Sequence, residues 1–391
     1  MNTFFKYSTI LILTSFLMIS CSEKNIQDVS KDTKVKITSN SYDINTLPSN
    51  LFVFGKIEND TLLCTDNNKT TIFSYNLKNN LKSDIVKTSN GKFIKKSVYN
   101  SDWIIWIENE SLKTDLSNKP YNWEIKAKNI KTNQEISIDK SNFNNNSYNI
   151  PTYTGYTPEY IDISTDNNVV YGKVFLQPSG DIVNKVMSFN INDLSLIEIT
   201  TPKNINENYL SGLSIDGNKI VWSECSEYDT SGTWSTHFKN SNIYYYSIDT
   251  KETSTLTNDG YYSNPIINKN IIIAEKFIND QDVATSDIVQ IDIEKKAITK
   301  IVDQSSIFYS NNKGYSKSLN CLININDKYV SWNNLIYNRA IYDRENNIFI
   351  DLLDNNQYKN IISVNGMFDN YVFLTVESAN NTIESLYLVL K

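Results

Sequence analysis

The chain has 391 residues, 40% of them apolar and 12% aromatic, which is ample material for the core of one large all-β unit. Its 44 acidic and 37 basic residues leave a net charge of −7, a balance that repels nucleic acid and anionic lipid headgroups. Arg339 and Arg344 are the only arginines, so the forked, bidentate recognition of phosphate or carboxylate is nearly absent.

The first element is an export signal. Residues 1–21 read MNTFFKYSTILILTSFLMISC, with Lys6 as the positive flank, an apolar run from Tyr7 to Ile19 and the small Ser20 before Cys21. That run is too short for a bilayer span, which needs about 20 apolar residues. The tail Met18-Ile19-Ser20-Cys21 resembles the lipobox of bacterial lipoproteins, with methionine where leucine is usual. The resemblance implies a signal peptide over 1–20, removed on export, and a diacylglyceryl group on the Cys21 thiol. It places the protein at the extracytoplasmic face of the cell membrane, held there by lipid. Residues 21–33 then read as a polar, aperiodic tether, and residues 34–391 as the folded domain.

From there a repeat runs to the end of the chain. A polar turn residue precedes a short apolar run, strand b, starting at Asp60, Asp102, Asn168, Asn218, Asn270, Asp327 and Asp369. A second run, strand c, follows and usually ends in Asn or Asp, as in Ile72–Asn76, Val186–Asn190 and Ile288–Asp292. A tight turn such as Lys131-Thr132-Asn133-Gln134 and a short polar strand d complete the unit. The strand-b starts lie 42 to 66 residues apart, the length of a four-stranded blade with loop insertions. The expected fold is an all-β, seven-bladed β-propeller, with six or eight blades as alternatives. The seventh unit ends before its own strand d, and the alternating run Lys34–Thr38 is expected to supply it and close the ring. Ser214 to Trp222 followed by Ile243 to Asp249 resembles a blade of the TolB-like propeller family, and Thr157-Pro158 and Asn264-Pro265 resemble the proline that often opens a blade there. The resemblance implies the fold and no particular activity.

Chemistry is sparse. The single histidine, His237, leaves no material for a triad or a histidine metal site, and no GxSxG elbow or phosphate loop occurs. No catalytic residue, metal ligand or cofactor is assigned. Cys64, Cys225 and Cys321 show no ligand spacing and read as small, unpaired buried residues. Asp280, Asp282 and Asp287 read as a solvated acidic loop. Glu108, Glu224, Glu275 and Glu377 fall near the ends of their b strands on one rim. They read as ordinary charged strand ends, with an acid pair or cation site as the alternative.

The candidate recognition residues are aromatic. Connections b–c and d–a open on one face of a propeller, and the long insertions fall there: 109–121, 141–158, 225–240 and 304–320. They carry Tyr121, Tyr148, Tyr153, Tyr156, Tyr228, Trp234, Phe308 and Tyr315. Trp234, Tyr228, His237, Tyr153 and Tyr156 are the candidate ligand-binding residues, because rigid amphipathic rings on polar loops suit sugar faces or peptide side chains. The expected role is a non-catalytic binding or scaffold module whose partner is a protein or a glycan. An envelope carbohydrate-active enzyme using the rim carboxylates, or an accessory subunit of an export or transport assembly, is the alternative.

Overall fold

The structure is a computed structural model. It describes residues 37–38, 42–48, 51–58, 60–110, 122–141, 157–176, 182–199, 209–225, 238–278, 285–302, 323–332, 340–352 and 358–391. Every element in these segments is a strand, and the strands form seven sheets. Six blades are sequential antiparallel meanders, spanning 52–87, 93–140, 161–199, 209–255, 262–302 and 323–351, and the seventh uses 358–390. Strand a of each blade packs against strand a of the next, and blade seven meets blade one. The molecule is therefore a seven-bladed β-propeller.

The repeat has a local cause. Strands b carry apolar side chains on both faces because each lies between two neighbouring blades: Trp103–Asn109 is buried at every position. Ile104 and Trp106 pack toward blade one with Leu63, Ile72 and Val86, whereas Ile105 and Ile107 pack toward blade three with Val169 and Tyr171. The polar residue that ends strand c builds the c–d turn. The side-chain oxygen of Asn76 accepts the N–H groups of Lys78 and Asn79, at 3.0 and 3.2 Å. Asn129, Asn190 and Asp343 do the same, and Asp292 accepts from Lys295. In blade four this part falls to Ser247, which accepts from Thr250, rather than to Asp249. The next residue on each strand c donates its backbone N–H to the a–b turn of its own blade. Leu77, Ile130, Ile191, Ile248, Ile293, Arg344 and Leu390 make this bond at 2.7 to 3.0 Å, once per blade.

The same turns tie blade to blade. The Asn100 amide donates to Ser164 O at 2.8 Å and Asn167 Oδ1 at 2.9 Å. Asp162 accepts Ser214 Oγ at 2.9 Å and Ile215 N at 3.1 Å, and Asp216 accepts Lys269 N. Lys269 pairs with Asp327 at 2.8 Å, the Asn326 amide donates to Asp369 O at 2.5 Å, and Lys56 pairs with Asp369 at 2.7 Å. The seam between blades one and two is held higher up, where Ile94 N donates to Lys69 O at 2.6 Å.

Closure corrects the sequence expectation. The outer strand of blade seven is not Lys34–Thr38 but Tyr42–Leu47 (β2), antiparallel to Ile383–Leu390 with Tyr42 opposite Leu390 and Leu47 opposite Ser385. Ile37–Thr38 (β1) instead pairs in parallel with Ile348–Asp351 as a fifth strand of blade six. The reason is chain reach. Only four residues separate Leu47 from Phe52, the first residue of blade one, so the run just before Phe52 takes the position every strand d holds before the next strand a. The earlier run falls one blade further back.

Deleting residues 22–32 is expected to leave the melting temperature unchanged, and deleting 22–40 to lower it slightly. Deleting 22–47 removes the ladder that covers Leu386, Leu388 and Leu390 and is expected to lower it by roughly 5 °C or more. Equal melting temperatures for the second and third truncations would refute closure by β2.

Candidate functional site: the looped face

The two ends of the propeller differ in chain length. At one end lie the a–b and c–d turns, none longer than five residues. At the other lie the b–c and d–a connections, which include 110–122, 141–160, 226–241 and 303–322. The sequence candidates Trp234, Tyr228, His237, Tyr153 and Tyr156 all lie outside the described residues, as do Tyr121, Tyr148, Phe308, Tyr315, Cys21 and Cys321. The strands fix where their segments leave and rejoin the fold: 226–237 leaves from Cys225 on strand b of blade four and returns at Phe238.

That return is firmly seated. The Phe238 ring stacks on Phe277 of blade five at 4.7 Å. Phe238 O accepts the N–H groups of Ser241 and Tyr261, and Ser241 Oγ donates to Tyr262 O at 2.6 Å. Gly260 sits beneath with φ +73°, and a Cβ there would lie 1.9 Å from Lys239 O, so only glycine fits. The long blade-four connection thus ends on a rigid footing between blades four and five, the arrangement in which loops carry recognition.

The rim acids are not solvated strand ends. Glu108, Glu224 and Glu275 are buried to 2% exposure or less, each between blades. Trp106 Nε1 donates to Glu108 at 3.1 Å and Lys126 pairs with it at 3.0 Å. Trp222 Nε1 donates to Glu224 at 3.2 Å. Glu275 accepts Ser286 Oγ at 2.5 Å and the Asn264 amide at 3.2 Å. Glu377 is half-buried on strand b of blade seven. Glu108 and Glu224 are the same position two blades apart, two residues after a buried tryptophan, whereas Glu275 points to the opposite side of its blade. These acids do not come together, and among the described residues no cluster of three His, Cys, Asp or Glu could hold a metal ion. The W-x-E spacing in strands b of blades two and four was the visible signal for a structural role. Asp287 is also buried, paired with Lys300 at 3.2 Å, and not part of a solvated loop. Cys64 and Cys225 are both buried. Burial pushes the Cys64 thiol up to about 12, which makes it inert.

Among the described residues of the looped face, the start of strand a of blade two is cationic. Strands a begin there, and blade two contributes Lys92, Lys95 and Lys96 beside Lys69 of blade one and Glu159 and Tyr160 of blade three.

No protein-family model matches the chain, and no curated protein matches it. Solved structures do. The β-propeller domain of the Trilobed protease from Pyrococcus furiosus, described as having an open velcro topology, aligns with a TM-score of 0.52 at 12% identity, over 87% of this chain and 95% of that one. An oligogalacturonate lyase in complex with manganese aligns at 0.51 and 10% identity, over 88% and 78%. TolB from Acinetobacter baumannii aligns at 0.40 and 9% identity, over 86% and 62%, too distant to carry weight. At these identities the likeness establishes the propeller fold alone.

Burial raises the Glu275 carboxyl from 4.5 to about 7, against the two hydrogen bonds that pull it down. Its folded pKa exceeds the unfolded one, so its contribution is fully present below about pH 4.5 and is lost as pH rises through about 7. Glu275→Gln can still accept the Asn264 amide through its oxygen and donate through Nε2 to Ser286 Oγ, without the charge. It is expected to flatten the stability profile between pH 5 and 8 and to exceed the parent at pH 8 by up to roughly 3 kcal/mol, at about 1.4 kcal/mol per unit. Urea unfolding at the two pH values measures this, and identical slopes for the two proteins would refute it.

Proposed function

We propose that this protein is a membrane-tethered, extracytoplasmic binding propeller that engages a protein or glycan through its looped face. The observation that carries the reading is the asymmetry of the two ends: tight turns at one, and at the other connections far longer than a two-residue hairpin needs. The footing of the blade-four connection on Phe277 and Gly260 favours the same face. The enzyme alternative draws on the rim carboxylates. Their separate burial between blades, each in a local hydrogen-bond set, weighs against an acid pair, whose function needs two carboxyl groups within reach of one bond. The fold likeness to a lyase and to a protease domain brings no residue assignment with it.

The tether rests on Cys21. Cys21→Ala is expected to shift the protein from the membrane fraction to the soluble one, or to leave an uncleaved precursor. Unchanged lipid labelling of the variant would remove the basis for the anchor.

Recognition is tested on Trp234. With a partner captured from envelope extracts by the intact protein and identified, Trp234→Ala is expected to weaken binding by about 2 kcal/mol or more, as aromatic anchors do, while the melting temperature holds. A lowered melting temperature with binding retained would make the connection structural and withdraw the assignment.

A further inference from the structure

The channel mouth on the looped face gathers lysines that no local carboxylate neutralises. Lys69 lies in the b–c turn of blade one, with its ammonium 4.1 Å from the centre of the Phe52 ring, and Phe52 itself is 48% exposed. Its backbone carbonyl accepts Ile94 N, which draws this turn against strand a of blade two, where Lys95 and Lys96 follow. Lys95 is close enough to Lys69 to disfavour its charge. Lys96 is exposed to solvent. Its ammonium donates to Glu159 O at 3.4 Å and stands 6.0 Å from the Tyr160 ring centre. Among the described residues no carboxylate oxygen lies within 4 Å of Lys69, Lys95 or Lys96.

Most of the acids facing this group are committed elsewhere. Asp66 faces Lys69, but its Oδ1 accepts Thr70 N at 2.8 Å and Thr71 N at 2.9 Å. Asp162 faces Lys96, but its oxygens hold Ser214, Ile215 and Ile163. Glu108, 3.9 Å from Lys92, already holds Lys126 and the Trp106 indole. Glu159 is exposed and answers Lys95 and Lys96 at a distance. Burial lowers the pKa of Lys69 and Lys95, as expected of ammonium groups short of partners. Charge left in this state inside a chain of net charge −7 is stabilised when a ligand brings the missing anions.

We propose that this lysine group, with the Phe52 and Tyr160 rings beside it, is the binding site for an acidic oligosaccharide whose carboxylates are spaced along the chain. Lysines spread over the b–c turn of blade one and strand a of blade two match recurring charges better than one compact anion. Point-charge ammonium groups accept a sugar carboxylate without the planar fork that arginine would impose, and aromatic rings at the mouth give sugar faces a surface to pack on. The inference rests on the binding reading above and names its ligand class.

The test is titration calorimetry of the intact domain with a uronic-acid hexasaccharide, its neutral hexose counterpart and hexaglutamate. The uronate is expected to bind, more weakly as salt rises, and the neutral sugar to bind at least tenfold more weakly. Lys95→Ala with Lys96→Ala is expected to reduce uronate affinity by tenfold or more. Lys295→Ala, at a c–d turn on the opposite face, is expected to leave it unchanged. Should the double variant melt early, Lys95→Gln and Lys96→Gln keep the stems and carry the comparison. Uronate binding unaffected by these variants would overturn the site while leaving the looped-face reading standing. Tighter binding of hexaglutamate would overturn the ligand class. No binding of either anion would overturn the proposal, and a captured partner sensitive to Trp234→Ala would still uphold the general binding role.

Discussion

The ladder between Tyr42–Leu47 and Ile383–Leu390 joins the two ends of the folded domain, and the ring depends on it. A propeller blade cannot bury its own faces. Each sheet is covered only by its two neighbours, so an opening anywhere exposes two apolar faces at once. Here that ladder covers the blade-seven core of Leu386, Leu388 and Leu390 and brings Leu47 into the cluster of blade one with Val53, Leu62 and Phe373. One short strand thus links the cores of two blades whose other strands lie some 300 residues apart in sequence, a loop closure with a large entropic cost that must be made once.

Once closed, the ring is fixed in register by polar contacts at the tight-turn end. Asn100, Asp162, Asp216, Asp327 and Asp369 each accept or donate across a seam, so every seam but that of blades one and two is tied at this end. A partly buried acid on strand d of blade two plays the same part. Asp139 takes the Tyr171 hydroxyl at 2.6 Å and Lys173 at 2.7 Å across the seam of blades two and three. A charge buried in this way stabilises only while its partners stay in place, and it therefore specifies one arrangement of blades over others with similar apolar packing.

This division leaves the two ends of the molecule with different work. The tight-turn end is consumed by bonds that hold the ring, while the looped end carries the length variation, the half-exposed Phe52 and lysines without local carboxylate partners. The fold neighbours, a lyase and a protease domain among them, show how freely such a ring is reused. Function has to be read from the side chains at the looped end, on which the proposed recognition of an anionic partner rests.

The sequence by itself determined the fold class and the position of every strand b, favoured seven blades over six or eight, and marked most of the Asn/Asp turns that end strands c. Those features are local: a doubly apolar run and a side chain bonding its own backbone are written in consecutive residues. It also located the long insertions on one face, since strand direction follows from order. Tertiary structure alone decided which N-terminal run closes the ring, because both Lys34–Thr38 and Tyr42–Leu47 can form strands and only the reach to Phe52 separates them. It alone decided that Glu108, Glu224 and Glu275 are buried between blades, since the side of a strand a carboxylate faces depends on what the neighbouring blade places there. It alone gathered Lys69, Lys95, Lys96 and Glu159, residues up to 90 positions apart, at one channel mouth, because adjacency around a ring is set by packing between blades and leaves no periodic trace in the chain.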